Sequence, residues 1–273
     1  ISQHFLQRLE MKDIVFAGQG NGFAGFAGPG GASDPVHIAF GVLGQVVIKN
    51  MRDVFDVDAA RCHVGGNQNF ELVVFAVEKA EEFGLVLALL PTWGRYVLPD
   101  SHPLTEEAVF HPGNAYTYGK FLGKRYREAP NVVWVLGGDW PAGPQIEIWD
   151  AMAKGLGEGD SGNHLITYHP CGWRSSAQFF RDEEWLDFHM IETWTEWYKV
   201  HPAVMSDCLR VPAKPVVLGE GAYEDGPEYT YGPITPLVAR KQAWWTWLAG
   251  GFHTYGQNQM WRMEAGWLSA LNT

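Results

Sequence analysis

Two carboxylates follow apolar runs at the points where a buried strand would end in glycine. Asp139 comes after "VVWVLGG" and Glu220 comes after "PVVLG". Asp139 taken alone could be a turn residue or could cap the next helix, because Asp is common in both places. Glu is less typical of turns, so Glu220 points more strongly to chemistry. As a pair, the two carboxyl groups could supply a proton donor and a nucleophile or water-directing base.

Further polar and aromatic side chains follow apolar runs of the same kind. In chain order they are Trp93, His169, Trp194, His253 and Tyr255. His169 precedes a proline and could simply satisfy a backbone carbonyl. Two carboxyl groups accompanied by aromatic rings, however, have the composition of a site that cleaves sugars, since one carboxyl protonates the leaving oxygen while rings hold the sugar. The sequence therefore favours glycosidic bond cleavage.

Two more glutamates, Glu192 and Glu196, flank Trp194 in "MIETWTEW". Strand alternation puts Glu192 and Trp194 on one face, so Glu192 could be an additional carboxylate of the site. We favour the plainer interpretation, in which Glu192 forms a salt bridge in a loop.

Metal-ligand patterns are absent from the sequence, which contains no HxH, HExxH or CxxC motif. The nearest mixed group is His164, His169 and Cys171, and the two histidines are five residues apart, which would put them on opposite strand faces. We therefore predict no metal and no other cofactor. We expect Cys62, Cys171 and Cys208 to be free thiols, because their number is odd and their spacing is wide.

Strands and helices must alternate to bring these side chains together. Six short apolar runs predict strands within residues 85–94, 131–139, 164–170, 185–194, 214–224 and 252–258. Helical spacing occurs within residues 70–84, 114–130, 146–160, 196–211 and 239–251. Such alternation predicts a parallel sheet with crossover helices, in which the ends of the strands share one edge.

The whole chain, residues 1–273, is predicted to be a single (β/α)8 barrel domain, because such a barrel takes roughly 250 residues. The two strands still needed would have to come from residues 1–69, a segment that is atypical and cannot be assigned by pattern. Its glycine-rich "GQGNG" is not followed by the helix that a dinucleotide site requires. We expect the barrel to be incomplete or irregular over this first quarter.

The charge and the apolar pattern of the chain limit the classes of partner that it could bind. The formal net charge is -11 with no basic run, which argues against nucleic acid. No apolar run reaches the roughly 18 residues of a membrane span.

The chain begins with Ile1, so we interpret it as trimmed and expect an exported protein, although no signal peptide is present. All 13 tryptophans lie at or after Trp93, which suits a sugar ligand. The oligomeric state is not predicted.

Several segments in order resemble the successive motifs of the apiosidase-like glycoside hydrolases. They are "KFLGKRYREAPNVVWVLGGDW", "HLITYHPCGWRSS", "LDFHMIETW", "KPVVLGEGAYE" and "AWWTWLAGGFHTYGQNQMW". The segments "NFELVVFAVEKAEEFGL" and "LALLPTWG" fit the family's third strand and the helix before it. The resemblance covers the recognisable barrel units, about residues 70–262. It implies a barrel enzyme related to the large clan of retaining glycosidases.

The resemblance also implies roles for individual residues. Asp139 matches the family's acid/base after its fourth strand, and Glu220 matches the nucleophile on its seventh. Residues that match the family's substrate pocket are Trp93, His169, His253 and Tyr255, to which we add Trp140, Trp194 and Tyr223 as further candidates. A non-catalytic carbohydrate-binding barrel and a metal-dependent hydrolase stay open as alternatives.

Two departures from the family pattern concern the site. The family's opening strand with a Gly-Asp-Thr-type motif is not readable in residues 1–69. The sixth strand of relatives often ends in a Gly-His-like pair, whereas this chain has "ETWTEW". The second departure concerns the pocket, so substrate specificity is not predicted. A complex polysaccharide, such as that of plant cell walls, is the expected class of substrate.

Overall fold

The computed structural model describes residues 38–40, 44–46, 67–97, 109–226 and 232–259. Its strands are β1 (Ile38–Phe40), β2 (Gly44–Val46), β3 (Leu87–Leu89), β4 (Val132–Gly137), β5 (Ile166–His169), β6 (Arg174–Ser175), β7 (His189–Glu192), β8 (Val216–Glu220) and β9 (Phe252–His253). Its α-helices are α1 (Asn67–Glu82), α2 (Pro112–Tyr126), α3 (Ile146–Asp160), α4 (Ala177–Phe180), α5 (Val200–Cys208) and α6 (Pro236–Leu248). Short 3-10 helices cover Gly94–Val97, Gly143–Gln145 and Trp197–Lys199.

All six predicted strands are present, and helices separate them along the chain, so the mixed α/β prediction is confirmed. The strands form two parallel groups, β3-β4-β5 and β7-β8-β9, and β6 adds antiparallel to the edge of β7. The sequence did not predict β6 or the antiparallel pair β1–β2. Within the described residues the sheets do not close into a barrel. The prediction for residues 1–69 falls almost wholly outside the described part of the chain.

A boundary without ladder pairing separates β5 from β7, and we call it the seam. In the described part of the chain, three hydrogen bonds cross it near the beginning of β5. The Asp187 amide donates to the Ile166 carbonyl at 2.9 Å, and the Ile166 amide donates to Asp187 Oδ2 at 2.7 Å. The Thr167 hydroxyl donates to the Phe188 carbonyl at 2.7 Å. The two sheets therefore lie edge to edge, so that the carboxyl ends of their strands share one rim.

The larger apolar core lies between β3–β5 and helices α1 to α3, and a smaller one lies between β7, β8 and α5. Helices α2 and α3 approach each other unusually closely through glycines. A side-chain carbon on Gly119 would lie 2.3 Å from the Met152 carbonyl oxygen, and one on Gly155 would lie 2.2 Å from the Tyr116 carbonyl oxygen. Only glycine allows these backbones to pack so tightly, which fixes the relative position of the two helices that precede and follow β4 in the chain.

No helix in the described part of the chain has the length and apolar character needed to cross a bilayer. Cys171 and Cys208 are free, as predicted; Cys62 lies outside the described residues.

Candidate active site

A glycine pair turns the chain sharply at the end of β4 and presents Asp139. Gly137 and Gly138 have φ angles of 88° and 102°, and Asp139 itself has a φ of 55°. A side-chain carbon on Gly137 would lie 2.2 Å from the His169 carbonyl oxygen, so space as well as conformation requires glycine. The Gly138 amide donates to the same carbonyl at 3.0 Å. The turn thereby anchors Asp139 beside the end of β5.

His169, the last residue of β5, lies between the carboxylates. Its Nε2 is 3.2 Å from Glu220 Oε2, and its Nδ1 is 2.9 Å from the Pro170 carbonyl oxygen. Both ring nitrogens thus face acceptors, an arrangement that a doubly protonated imidazolium satisfies. The alternative in which His169 only satisfies a backbone carbonyl accounts for one of these two contacts.

Two further carboxylates face the same ring. His169 Nδ1 lies 3.7 Å from Asp139 Oδ1 and 3.8 Å from Glu192 Oε2. Burial opposes the charge on His169, but its hydrogen bond to Glu220 and the negative charges of the three carboxylates together raise its pKa to about 9. The imidazolium is therefore the positive centre of an otherwise acidic cluster.

A β-bulge places Glu192 opposite Glu220. The β7–β8 register pairs Ile191 with Leu218 and then Glu192 with Glu220, skipping one residue on β8. The Thr193 amide then donates to the Glu220 carbonyl at 2.8 Å, which holds the two strand ends together. Both glutamates consequently point to the shared rim.

Glu192 corrects the expectation of a loop salt bridge. Its residue is only 4% exposed and it ends a strand, and in the described residues its one ion-pair neighbour is His169. Its Oε2 is buried and has no hydrogen-bond partner among the residues that the structure describes. Strand alternation correctly grouped Glu192 with the other carboxyl groups, whereas the preference for a loop salt bridge was wrong.

Burial and mutual repulsion make two of the carboxyl groups weak acids. Burial and the charge of Glu220 raise the pKa of Asp139 to about 6, against the opposing effect of His169. Burial, Glu220 and Asp139 raise the pKa of Glu192 to about 9, again opposed by His169. The Asp139 side chain stays 45% exposed, so its proton can be exchanged with a ligand or solvent. A carboxyl whose pKa is raised toward neutrality suits general acid–base chemistry.

The four groups could also be viewed as ligands. One donor atom from each of Asp139, His169, Glu192 and Glu220 lies within 4.8 Å of the others. This grouping differs from the histidine–cysteine group considered from sequence. His164 instead contacts Asp160 Oδ2 at 2.9 Å and the Ala129 carbonyl oxygen at 2.7 Å, inside the core.

Three of the predicted tryptophans border the rim. The Trp93 ring packs on Gly138, where an added side-chain carbon would meet Trp93 Cε3 at 2.7 Å. Trp140 lies against Gly94 in the same way, and its carbonyl accepts from the Tyr168 hydroxyl at 2.9 Å. Trp194 is 41% exposed and follows β7. These rings adjoin the elements that carry Asp139 and Glu192.

The remaining predicted binding residues lie around β9 and the loop after β8. Tyr255 donates to Glu224 Oε2 at 3.0 Å. The His253 ring meets Trp247 of α6 edge-on, with centroids 6.3 Å apart. Tyr223 lies against Gly256, where a side-chain carbon would be 2.2 Å from Tyr223 Cδ1. Through these contacts the three residues pack against α6 and against the loops that follow β8 and β9. Their part in binding a substrate stays a prediction.

Comparison with known proteins identifies the family of the chain. A family model described as "Apiosidase-like, catalytic domain" matches residues 44–270. The chain belongs to the apiosidase-like family. The match begins inside the segment 1–69 that the sequence pattern left unassigned.

Two solved structures resemble the apiosidase-like chain. A glycoside hydrolase family 5 protein from Bacteroides vulgatus is 30% identical, with a TM-score of 0.63 over 74% of this chain and 49% of its own. A second structure, named a glycoside hydrolase, is 28% identical, with a TM-score of 0.65 over 75% of this chain and 51% of its own. The chain thus spans about half the length of these structures. No curated protein matches it.

Proposed function

We propose that this apiosidase-like chain cleaves glycosidic bonds with retention of configuration, using Glu220 and Asp139. The observation that carries the proposal is the short distance between an oxygen of each, which lie within 4.8 Å. Retaining glycosidases have carboxyl groups about 5–5.5 Å apart, whereas inverting ones need about 6.5–9.5 Å to admit a water molecule.

In the first step the Glu220 carboxylate forms a bond to the anomeric carbon while the bond from that carbon to the leaving oxygen breaks. Asp139 gives its proton to that oxygen. In the second step Asp139 takes a proton from water, the water oxygen bonds to the anomeric carbon, and Glu220 is released. The raised pKa of Asp139, about 6, supports its role as the acid.

His169 would orient the nucleophile. Its Nε2 lies 3.2 Å from Glu220 Oε2, which fixes one carboxylate oxygen and leaves the other to attack.

The described parallel strands would be six of the eight strands of a closed (β/α)8 barrel. The expected substrate class is a complex polysaccharide of the plant cell-wall type.

The reaction is tested by screening aryl-glycosides and pectic oligosaccharides and following the first product by NMR. Release of a sugar whose anomeric configuration matches that of the substrate is the expected result. A first product of opposite configuration would contradict the roles assigned to Glu220 and Asp139, and absence of hydrolysis across the screen would favour a carbohydrate-binding protein without turnover.

A metal-dependent hydrolase is the second candidate, because the donor atoms of the four-residue cluster are close enough to surround a cation. Chelation distinguishes the two. Turnover by an acid–base pair is unchanged after dialysis against a chelator, whereas loss of turnover that a divalent cation restores would establish the metal mechanism.

A further inference from the structure

Two exposed tryptophans stand beside the acidic cluster. Trp173 is 53% exposed and Trp194 is 41% exposed, and their ring centroids are 5.5 Å apart. Gly172 connects them to the cluster, since a side-chain carbon there would lie 3.3 Å from Glu192 Oε1 and 3.5 Å from Trp194 Cβ. The Trp173–Trp194 pair and the Glu192 carboxyl therefore border the same space.

The backbone at both tryptophans is held in the left-handed region. The φ angles are 64° at Trp173 and 46° at Trp194, a conformation that favours glycine and disfavours bulky residues. Pairing of Arg174 with Glu192 keeps the two segments side by side, and the Trp194 amide donates to the Glu220 carbonyl at 3.4 Å. Such strained conformations are unfavourable and cluster at active sites and at sites that clamp ligands.

The large side chain at Trp194 is itself unusual for this backbone conformation. A glycine would relieve the backbone, and this chain has the largest side chain instead. Folding does not account for the choice, because both indole rings face solvent rather than the core. A ligand with an apolar face does account for it.

We propose that the Trp173–Trp194 pair forms a second sugar-binding subsite, which takes the ring next to the one that is cleaved. The C–H face of a sugar would stack on the indoles, and Glu192 Oε1, on the side of Gly172, would accept or donate a hydrogen bond with a hydroxyl group. The inference rests on the proposed function for its substrate class. It makes this enzyme prefer oligosaccharides over small glycosides.

The test uses the Glu220→Gln protein, which binds without turnover, and pectic oligosaccharides fractionated by length. Affinity is measured by calorimetric titration, and the thermal midpoint is recorded for each variant. The added change Trp194→Gly removes the ring and relieves the backbone. We expect it to weaken binding of trisaccharides and longer fractions about tenfold, or 1.4 kcal/mol, to leave monosaccharide binding unchanged, and to keep or raise the thermal midpoint. Trp173→Ala should weaken binding of the longer fractions in the same direction.

Trp244→Ala is the matched control, because Trp244 is 58% exposed on α6 and contacts Trp247. Equal affinity of the parent and Trp194→Gly for the long fractions would overturn the proposal, as would an equal loss in Trp244→Ala or no binding of any fraction. If the proposed hydrolytic function is wrong while the subsite exists, the outcome is different from these. The native chain would then release no sugar from any fraction while binding still depended on Trp194.

Discussion

The His169 imidazole lies across the seam from Glu220, with Nε2 3.2 Å from Oε2. His169 ends β5 in one sheet and Glu220 ends β8 in the other, so this ion pair joins the two groups of strands at their shared rim. Because Asp139 also faces His169, the charge of the imidazolium is shared between the proposed nucleophile and the proposed acid.

Replacing either carboxyl of the pair should remove turnover and preserve binding. We expect Glu220→Gln and Asp139→Asn each to lower kcat by at least about 10²–10⁴-fold, the contribution typical of a positioned acid or base, while oligosaccharide affinity changes little. Glu184→Gln, an exposed glutamate, is the control. If neither substitution altered turnover, the chain's activity would have to come from other residues.

Removing the charge of His169 should shift the pH profile upward. The imidazolium lowers the pKa of Asp139, so in His169→Gln the pKa of Asp139 should rise above about 6. The alkaline limb of kcat/KM, which falls as the acid loses its proton, would then move to higher pH while the maximum rate drops. His201→Gln, at an exposed position of α5, serves as the control. An alkaline limb that stays in place or moves down would contradict this electrostatic coupling.

Glu192→Gln should make the protein more stable than the native chain as pH rises. Folding raises the pKa of Glu192 from 4.5 to about 9, so the native state binds a proton that the unfolded chain releases between these values. Stability from this group is fully present below pH 4.5 and is lost as pH rises toward 9, whereas an amide does not ionise. Thermal midpoints at pH 5, 7 and 9 measure the difference, with Glu184→Gln as the control. A pH-independent difference would show that Glu192 titrates alike in both states.

The contact between α2 and α3 predicts opposite effects for two nearby glycines. Gly155→Ala puts a carbon 2.2 Å from the Tyr116 carbonyl oxygen and should destabilise by about 1–3 kcal/mol. At Gly157 nothing lies within 4 Å of an added carbon, so Gly157→Ala should stabilise by about 0.5–1 kcal/mol. Urea unfolding of both variants is the measurement. A similar change in the free energy of unfolding of both variants would mean that helix propensity, and not the close approach of the two helices, determines the effect of alanine.

The sequence predicted what depends on periodicity and on the ends of strands. The apolar runs located the six parallel strands of the described residues, and the rule that their carboxyl ends share an edge paired Asp139 with Glu220. The structure brings these two carboxyl groups within 4.8 Å of each other, although their catalytic roles stay a prediction.

The features that the sequence did not predict depend on local backbone geometry, which no particular residue type or composition marks. The bulge at Ile191 and Glu192 carries no marker residue, so the inward position of Glu192 was not preferred over a loop salt bridge. The two-residue strand β6 is too short to show alternation, so the closeness of Trp173 to Trp194 was not visible. Left-handed backbone is expected at glycine, and nothing in a single sequence marks it at a tryptophan.

Because of the seam, the distance between the Asp139 and Glu220 carboxyl groups depends on how the two sheets are placed relative to each other. Asp139 and Glu220 lie on separate sheets, which are joined across the seam by the hydrogen bonds around Ile166 and Thr167 and by the His169–Glu220 ion pair. A catalytic constellation tolerates errors of about 0.5 Å. A small slide of one sheet along the other would therefore disrupt the proposed catalytic pair while every side chain kept its rotamer, and a ligand that spans the seam would hold the two carboxyl groups at the spacing that turnover requires.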